Sequence, residues 1–311
     1  MRIKLKTRLY DLSDKINSRE RIRFWTGCQF FPQWSLIGST RLFLLFDTIA
    51  NPKMHVLLTN DDGIHAEGLW AVSDELQRDS RVSRLDIIAP AVQQSGVSHS
   101  ITYLTPLTPT RTTVREQQVW IVNGTPADCV KLGVMSLLDR RPDVVISGIN
   151  EGLNTGINAI YSGTVAAARE ATFFDIPAAA LSLEYAHDMD FHRASLLSTG
   201  RTLGLLKELR GQESGKTLLN VNIPTSAVIL SDVSDEVYWK IVPMKLTRSD
   251  DPYTVGQNPK QGNYYWSTDQ PFVELPGADT DVDSIAGGAI TVTPMSFDLT
   301  NHRVLRKMQS G

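Results

Sequence analysis

Apolar and polar positions fall into two regimes along this chain. From Met54 onward, short apolar runs alternate with stretches of helical period. Met54–Asn60 is such a run and ends in Asp61-Asp62-Gly63, after which Gly68–Arg78 places Leu69, Val72 and Leu76 at helical spacing. Leu85–Ala89, stopped by Pro90, and Val119–Val122, Asp143–Ser147, Ile176–Leu183 and Leu218–Ile223 read as further strands. Thr125-Pro126-Ala127-Asp128 writes a helix start, with threonine as the cap, proline in the first position and an acid in the first turn. Gly163–Phe174, which carries Ala166, Ala167 and Ala168, is a strong helix former. Several strands are apolar throughout, as a parallel sheet covered on both faces requires. The pattern predicts an α/β fold.

After about Pro224 the alternation stops. Val237–Lys245, Asn263–Trp266 and Ala289–Thr293 read as β segments, and the polar stretch Ser249–Gly262 reads as a loop between them. This places an α/β core at 54–236 and, at 237–311, a β-hairpin-rich extension that serves as a lid or subunit contact. Residues 1–53 keep no steady period. Their apolar run Leu42–Phe46 is far short of the ~20 residues that cross a bilayer. Asp11, Asp14, Glu20 and Asp47 argue against a targeting peptide. The stretch reads as a poorly ordered extension, which makes Met54 a candidate true start.

Composition narrows the class. At 311 residues, with 41% hydrophobic and 21% charged, the chain has the make-up of a globular protein and not of a disordered or fibrous one. Its two cysteines, Cys28 and Cys129, cannot build a disulfide framework, which points to a reducing, cytoplasmic setting and removes cysteine-based zinc sites. The net charge of −3 divides into +6 over residues 1–53 and −9 over the rest. So acidic a body offers no footprint for nucleic acid, and no stretch suits a membrane span.

In an open parallel sheet, ligands sit beyond the carboxyl ends of the strands. Asp61 and Asp62 follow the first apolar run, Ser95 the second, and Gly148 and Asn150 the run at Asp143–Ser147. Three loops distant in sequence thus offer oxygen donors at one edge, which suit Mg²⁺ or Mn²⁺ better than zinc. Two adjacent carboxylates repel each other, and a cation relieves that repulsion. A solvated Asp-Asp-Gly turn is the plainer reading of that tripeptide by itself. The Gly/Asn-rich stretch from Ser147 to Asn158 lets backbone amides approach an anion, and Tyr161-Ser162-Gly163-Thr164 opens the alanine-rich helix where a phosphate can rest. His99 is a weaker candidate, for acid–base work.

Familiar phosphate motifs are missing. There is no G-x-x-x-x-G-K-[ST], no G-x-G-x-x-G after the first strand, and no Asp-x-Asp in place of Asp61-Asp62. Cys129 falls inside a predicted helix and reads as a buried small residue.

The sequence does resemble the SurE family of metal-dependent 5′/3′-nucleotidases. The likeness rests on Leu57–Ala66, Gln94–Gly96, Asn123–Val130, Ser147–Asn150, Tyr161–Glu170 and Asn220–Pro224, and on Thr291–Pro294 with Asp298–Thr300. It implies a three-layer, Rossmann-like core with a mostly parallel sheet, and a C-terminal β extension used in homodimer or homotetramer contacts. It implies hydrolysis of nucleoside monophosphates with one Mg²⁺ or Mn²⁺ per subunit. The implied metal ligands are Asp61, Asp62, Ser95 and Asn150, with Asp61 and Asp62 also catalytic. Asn60, Gly96, Asn154, Ser162, Gly163 and Thr164, on the loops and the helix start that surround these ligands, are the expected phosphate contacts. Ala91 and Val92 depart from the family's usual acid and base after the second strand, and Glu67 stands where proline is common. That departure keeps open a second expectation, a non-catalytic metal- or nucleotide-binding sensor on the same fold.

Overall fold

A computed structural model describes residues 53–210, 217–229, 237–245, 253–260, 262–267 and 279–310. The expected N-terminal extension lies outside the described residues, apart from Lys53.

The predicted runs become β1 (Met54–Thr59), β2 (Val82–Pro90), β4 (Gln117–Val122), β5 (Val144–Glu151), β6 (Ala178–Leu183) and β7 (Leu218–Ile223). With β3 (Thr110–Val114), β8 (Trp239–Ile241) and β11 (Ile290–Met295) they form a nine-stranded sheet in the order β3-β4-β2-β1-β5-β6-β7-β11-β8. From β4 to β7 the pairing is parallel, whereas β3 on β4 and β11 on β7 are antiparallel. Helices α1 (Glu67–Arg78) and α5 (Phe191–Leu209) cover one face, and α2 (Pro126–Leu132) and α4 (Gly163–Phe173) the other. Among the described residues the remaining short helices are α3 (Asn158–Tyr161), α6 (Thr225–Ile229), α7 (Asp281–Ala286) and α8 (His302–Gln309), and a π-helical turn, Gly133–Leu137, follows α2.

Alternation along each strand divides the core in two. From β1, Val56 and Leu58 join Leu69, Val72 and Leu76 of α1, while Leu57 joins Cys129 and Val130 of α2. In β6, Ala178 and Ala180 meet Ala167, Ala168 and Ala171 of α4, so alanines on both sides let the helix lie close to the sheet. The Thr125 capping box is formed as its sequence predicts: its hydroxyl accepts from the Asp128 amide, and the Asp128 carboxylate accepts from the Thr125 amide.

The differences have physical causes. β3 carries Thr110, Arg111, Thr112 and Thr113 on a largely exposed edge, where no apolar run is needed. β9 (Tyr253–Gln257) lies within the stretch read as a polar loop, because its hairpin with β10 (Asn263–Ser267) is largely solvent-exposed and has little apolar patterning. Two of the C-terminal β segments, β8 and β11, extend the main sheet itself.

Candidate active site

Chain order turns back at β1. The strands run outward through β2 to β4 and then resume on the other side of β1 with β5, so the crevice between β1 and β5 is the switch point where doubly wound sheets hold ligands. Asn60, Asp61 and Asp62 leave β1 at that crevice, and Asn150 stands near the end of β5.

The loop after β1 is built to turn sharply. Gly63 has φ +96°, open to glycine at little cost, and the Asn60 side chain donates from Nδ2 to its carbonyl at 2.9 Å. The amide of Ile64 donates to the Pro90 carbonyl, and that of Gln94 to the Asp61 carbonyl at 2.7 Å, which ties the loops after β1 and β2 together. The strand has ended before the two aspartates, so they escape the strict alternation that would point them apart.

Asp61 is 3% exposed and accepts a short hydrogen bond from the Thr164 hydroxyl at the start of α4. A Cβ at Gly163 would stand 2.9 Å from Asp61 Oδ2, so the helix reaches the carboxylate because that position is glycine. Asp62 accepts from the Glu151 amide at 3.2 Å and from Gln93 Nε2 at 3.4 Å. Gln93 Nε2 also reaches Ser95 Oγ at 3.0 Å. Asn150 donates from Nδ2 to the Gly152 carbonyl at 2.7 Å, which turns its Oδ1 the other way. These bonds link Asp62 to Ser95 through Gln93 and to the neighbour of Asn150, with Asp61 adjacent in the chain.

Burial pushes the Asp61 carboxyl up to about 7, with the Thr164 hydroxyl opposing and Asp62 reinforcing the rise. Burial also raises Asp62, and Glu151 adds like charge. Nearby, Asn60 Oδ1 is buried with no hydrogen-bond partner. Among the described residues, no lysine or arginine is hydrogen-bonded or ion-paired to either aspartate, so this corner offers excess oxygen. Among the described residues no three His, Cys, Asp or Glu side chains converge, so a cation here would need the neutral oxygens of Ser95 and Asn150 to complete its shell. That donor set fits a hard divalent ion.

The expected phosphate contacts divide. Ser162 caps α4 by accepting from the Val165 amide at 3.1 Å, and Gly163 opens the first turn beside Asp61. At Gly96, φ is +69° and a Cβ would meet nothing within 4 Å, so that loop is open. Thr164 is turned onto Asp61. Asn154 is turned inward: its Nδ2 donates to Ser182 Oγ at 2.8 Å, its amide donates to Asn222 Oδ1, and its carbonyl accepts from Asn220 Nδ2. Ser182, Asn220 and Asn222, which hold it there, are not among the expected site residues. Their signal was polar side chains inside strands that are otherwise apolar. His99 lies against the flank of α4, paired with Glu170 at 2.7 Å and stacked on Phe173, and not against the aspartates.

A parallel sheet that opens paired carboxylates and a helix N-terminus at its switch point has the build of an α/β phosphoester hydrolase. Known proteins agree. The family model described as "Survival protein SurE" matches residues 56–250. Relatives named "5′-nucleotidase SurE" are 43% identical in Rhodopirellula baltica, over 82% of this chain and 98% of theirs, and 40% identical in Desulfatibacillum aliphaticivorans, over 82% and 97%. A crystal structure of a SurE protein from Aquifex aeolicus superposes with a TM-score of 0.67 at 31% identity, covering 82% of this chain and 98% of that one. The chain belongs to the SurE family.

Proposed function

We propose that this protein hydrolyses 5′- and 3′-nucleoside monophosphates to nucleoside and phosphate with one divalent cation, Mg²⁺ or Mn²⁺, per chain. The observation that carries the reading is the buried Asp61 beside Asp62, facing the first turn of α4 at the β1/β5 switch point. Its family membership, and relatives named 5′-nucleotidase, support it. Asp61, Asp62, Ser95 and Asn150 would hold the cation. When bound, such an ion supplies Lewis-acid charge stabilisation and acidifies water.

The protein's own groups do the rest. Asp61 and Asp62 orient the attacking water, with Thr164 fixing the Asp61 carboxylate. Gly96, Ser162 and Gly163 border the phosphate, where the positive end of α4 stabilises charge developing on its oxygens. Asn60 and Asn154 act from behind by fixing the loops. Tyr264, Tyr265 and Trp266 on β10, and Val304, Leu305 and Met308 on α8, are exposed, which supports association of copies into a homodimer or homotetramer. Among the described residues no helix is long and apolar enough to cross a membrane, and Cys129 is buried and unbridged.

The test is phosphate release from AMP with Mn²⁺ and with chelator. Release that chelator abolishes is expected. Tight AMP or metal binding without turnover would overturn the reading and leave a sensor.

A further inference from the structure

A groove of about 510 Å³ opens beside Asp62, with Tyr185 from the loop after β6 in its wall. Tyr185 is 68% exposed. The groove adjoins a second hollow of about 570 Å³ that shares Glu67, Asp188, Met189 and Phe191 with it. Gly68 brings α1 against the end of β5 here, since a Cβ at that position would overlap the Ile149 carbonyl oxygen.

The lining chemistry is one-sided. Among the described residues, Asp62, Glu67, Glu151 and Asp188 contribute carboxylates to the lining, His187 is the one basic side chain, and no lysine or arginine lines this groove. An anion entering it meets repulsion from every acid, whereas hydroxyl and amino groups find acceptors. An exposed tyrosine face adds a platform on which a planar ring can stack. The phosphate end of a substrate, by contrast, is drawn to the α4 side of the aspartates. A substrate with one anionic end and one neutral, ring-bearing, hydroxyl-rich end matches both halves.

On the reading that the protein is a nucleotidase, we infer that this groove receives the nucleoside half of the substrate. Tyr185 stacks on the base, Glu67 and Asp188 accept from sugar or base donors, and the same carboxylates turn away a second phosphate. In ADP the inner phosphate would have to lie in the groove. Tyr185 and the two acids are thus specificity-determining residues for monophosphates.

The experiment compares kcat/KM for AMP, ADP and glycerol 2-phosphate, all with Mn²⁺. In Tyr185→Ala the AMP to glycerol 2-phosphate ratio should fall about tenfold, the scale of a lost base stack, and Tyr185→Phe should restore it. The double variant Glu67→Gln with Asp188→Asn should raise the ADP to AMP ratio about fivefold or more, as repulsion of the inner phosphate is relieved. Ratios unmoved by either set, in a wild-type chain that does hydrolyse AMP, would overturn this inference alone. Failure of the wild-type chain to hydrolyse any of the three esters would overturn it together with the nucleotidase reading.

Discussion

Asp61 combines near-complete burial, a like-charged neighbour and a strong side-chain donor in Thr164, and this makes the two residues separately testable. Asp61→Asn removes charge and a cation donor together, and kcat should fall about 10²-fold or more in a phosphate-release assay. Near-normal turnover would remove Asp61 from the mechanism. Thr164→Val keeps the shape and deletes the hydroxyl that fixes the carboxylate, so kcat/KM should drop about tenfold, the scale of one charge-assisted hydrogen bond. The aspartates were legible because a doublet of like charges ending an apolar run asks for an explanation. The pairing of Thr164 with Asp61 was not, because it spans 103 positions in sequence and depends on the absent side chain at Gly163. Asn154 shows the reverse problem: an asparagine in a Gly/Asn-rich loop looks like a ligand, and its inward turn is set by Ser182, Asn220 and Asn222 on strands far along the chain.

Among the elements, β5 is the one whose ending shapes the site. Its pairing with β6 shifts register between Ser147 and Asn150, and Gly148 in that shift has φ +128° with its would-be Cβ overlapping the Leu181 carbonyl oxygen. Gly148→Ala should therefore destabilise the fold by roughly 1–3 kcal/mol through backbone strain and displace Asn150. Thermal melting paired with activity checks both. The parallel strands β1, β2 and β4 to β7 were legible as short apolar runs, because a parallel sheet covered by helices on both faces keeps most of its strand positions apolar. Helix α5 was not, because Ser195, Ser198, Thr199 and Thr202 are buried on its packed face and break the apolar stripe. Ser195 instead donates to the Ala71 carbonyl of α1 at 2.8 Å.

For the molecule as a whole, a pocket with excess oxygen and little positive charge links folding to cation binding. A hundredfold excess of Mn²⁺ over its Kd should add about 2.7 kcal/mol of stability, a rise of several degrees in Tm, which chelator reverses and Asp61→Asn removes. A melting curve indifferent to Mn²⁺ would speak against a cation at this edge. Sequence patterning showed the doubly wound body well and its borders poorly. The outer strand β3 is short, exposed and joined to the sheet on one side, so little hydrophobic signal marks it, whereas β8 falls inside the β segment expected over Val237–Lys245 but is only three residues long.

The place of β11 has a consequence for how the protein is made. This strand, antiparallel to β7 and parallel to β8, sits between them, so β7 lacks its second neighbour until residues 290–295 have left the ribosome. Until then, a strand with every side chain buried in the finished fold presents an open row of amides and carbonyls to other nascent chains. A chain stopped at Gly288 keeps that edge bare permanently, and it should partition into the insoluble fraction while the 311-residue chain stays in the supernatant.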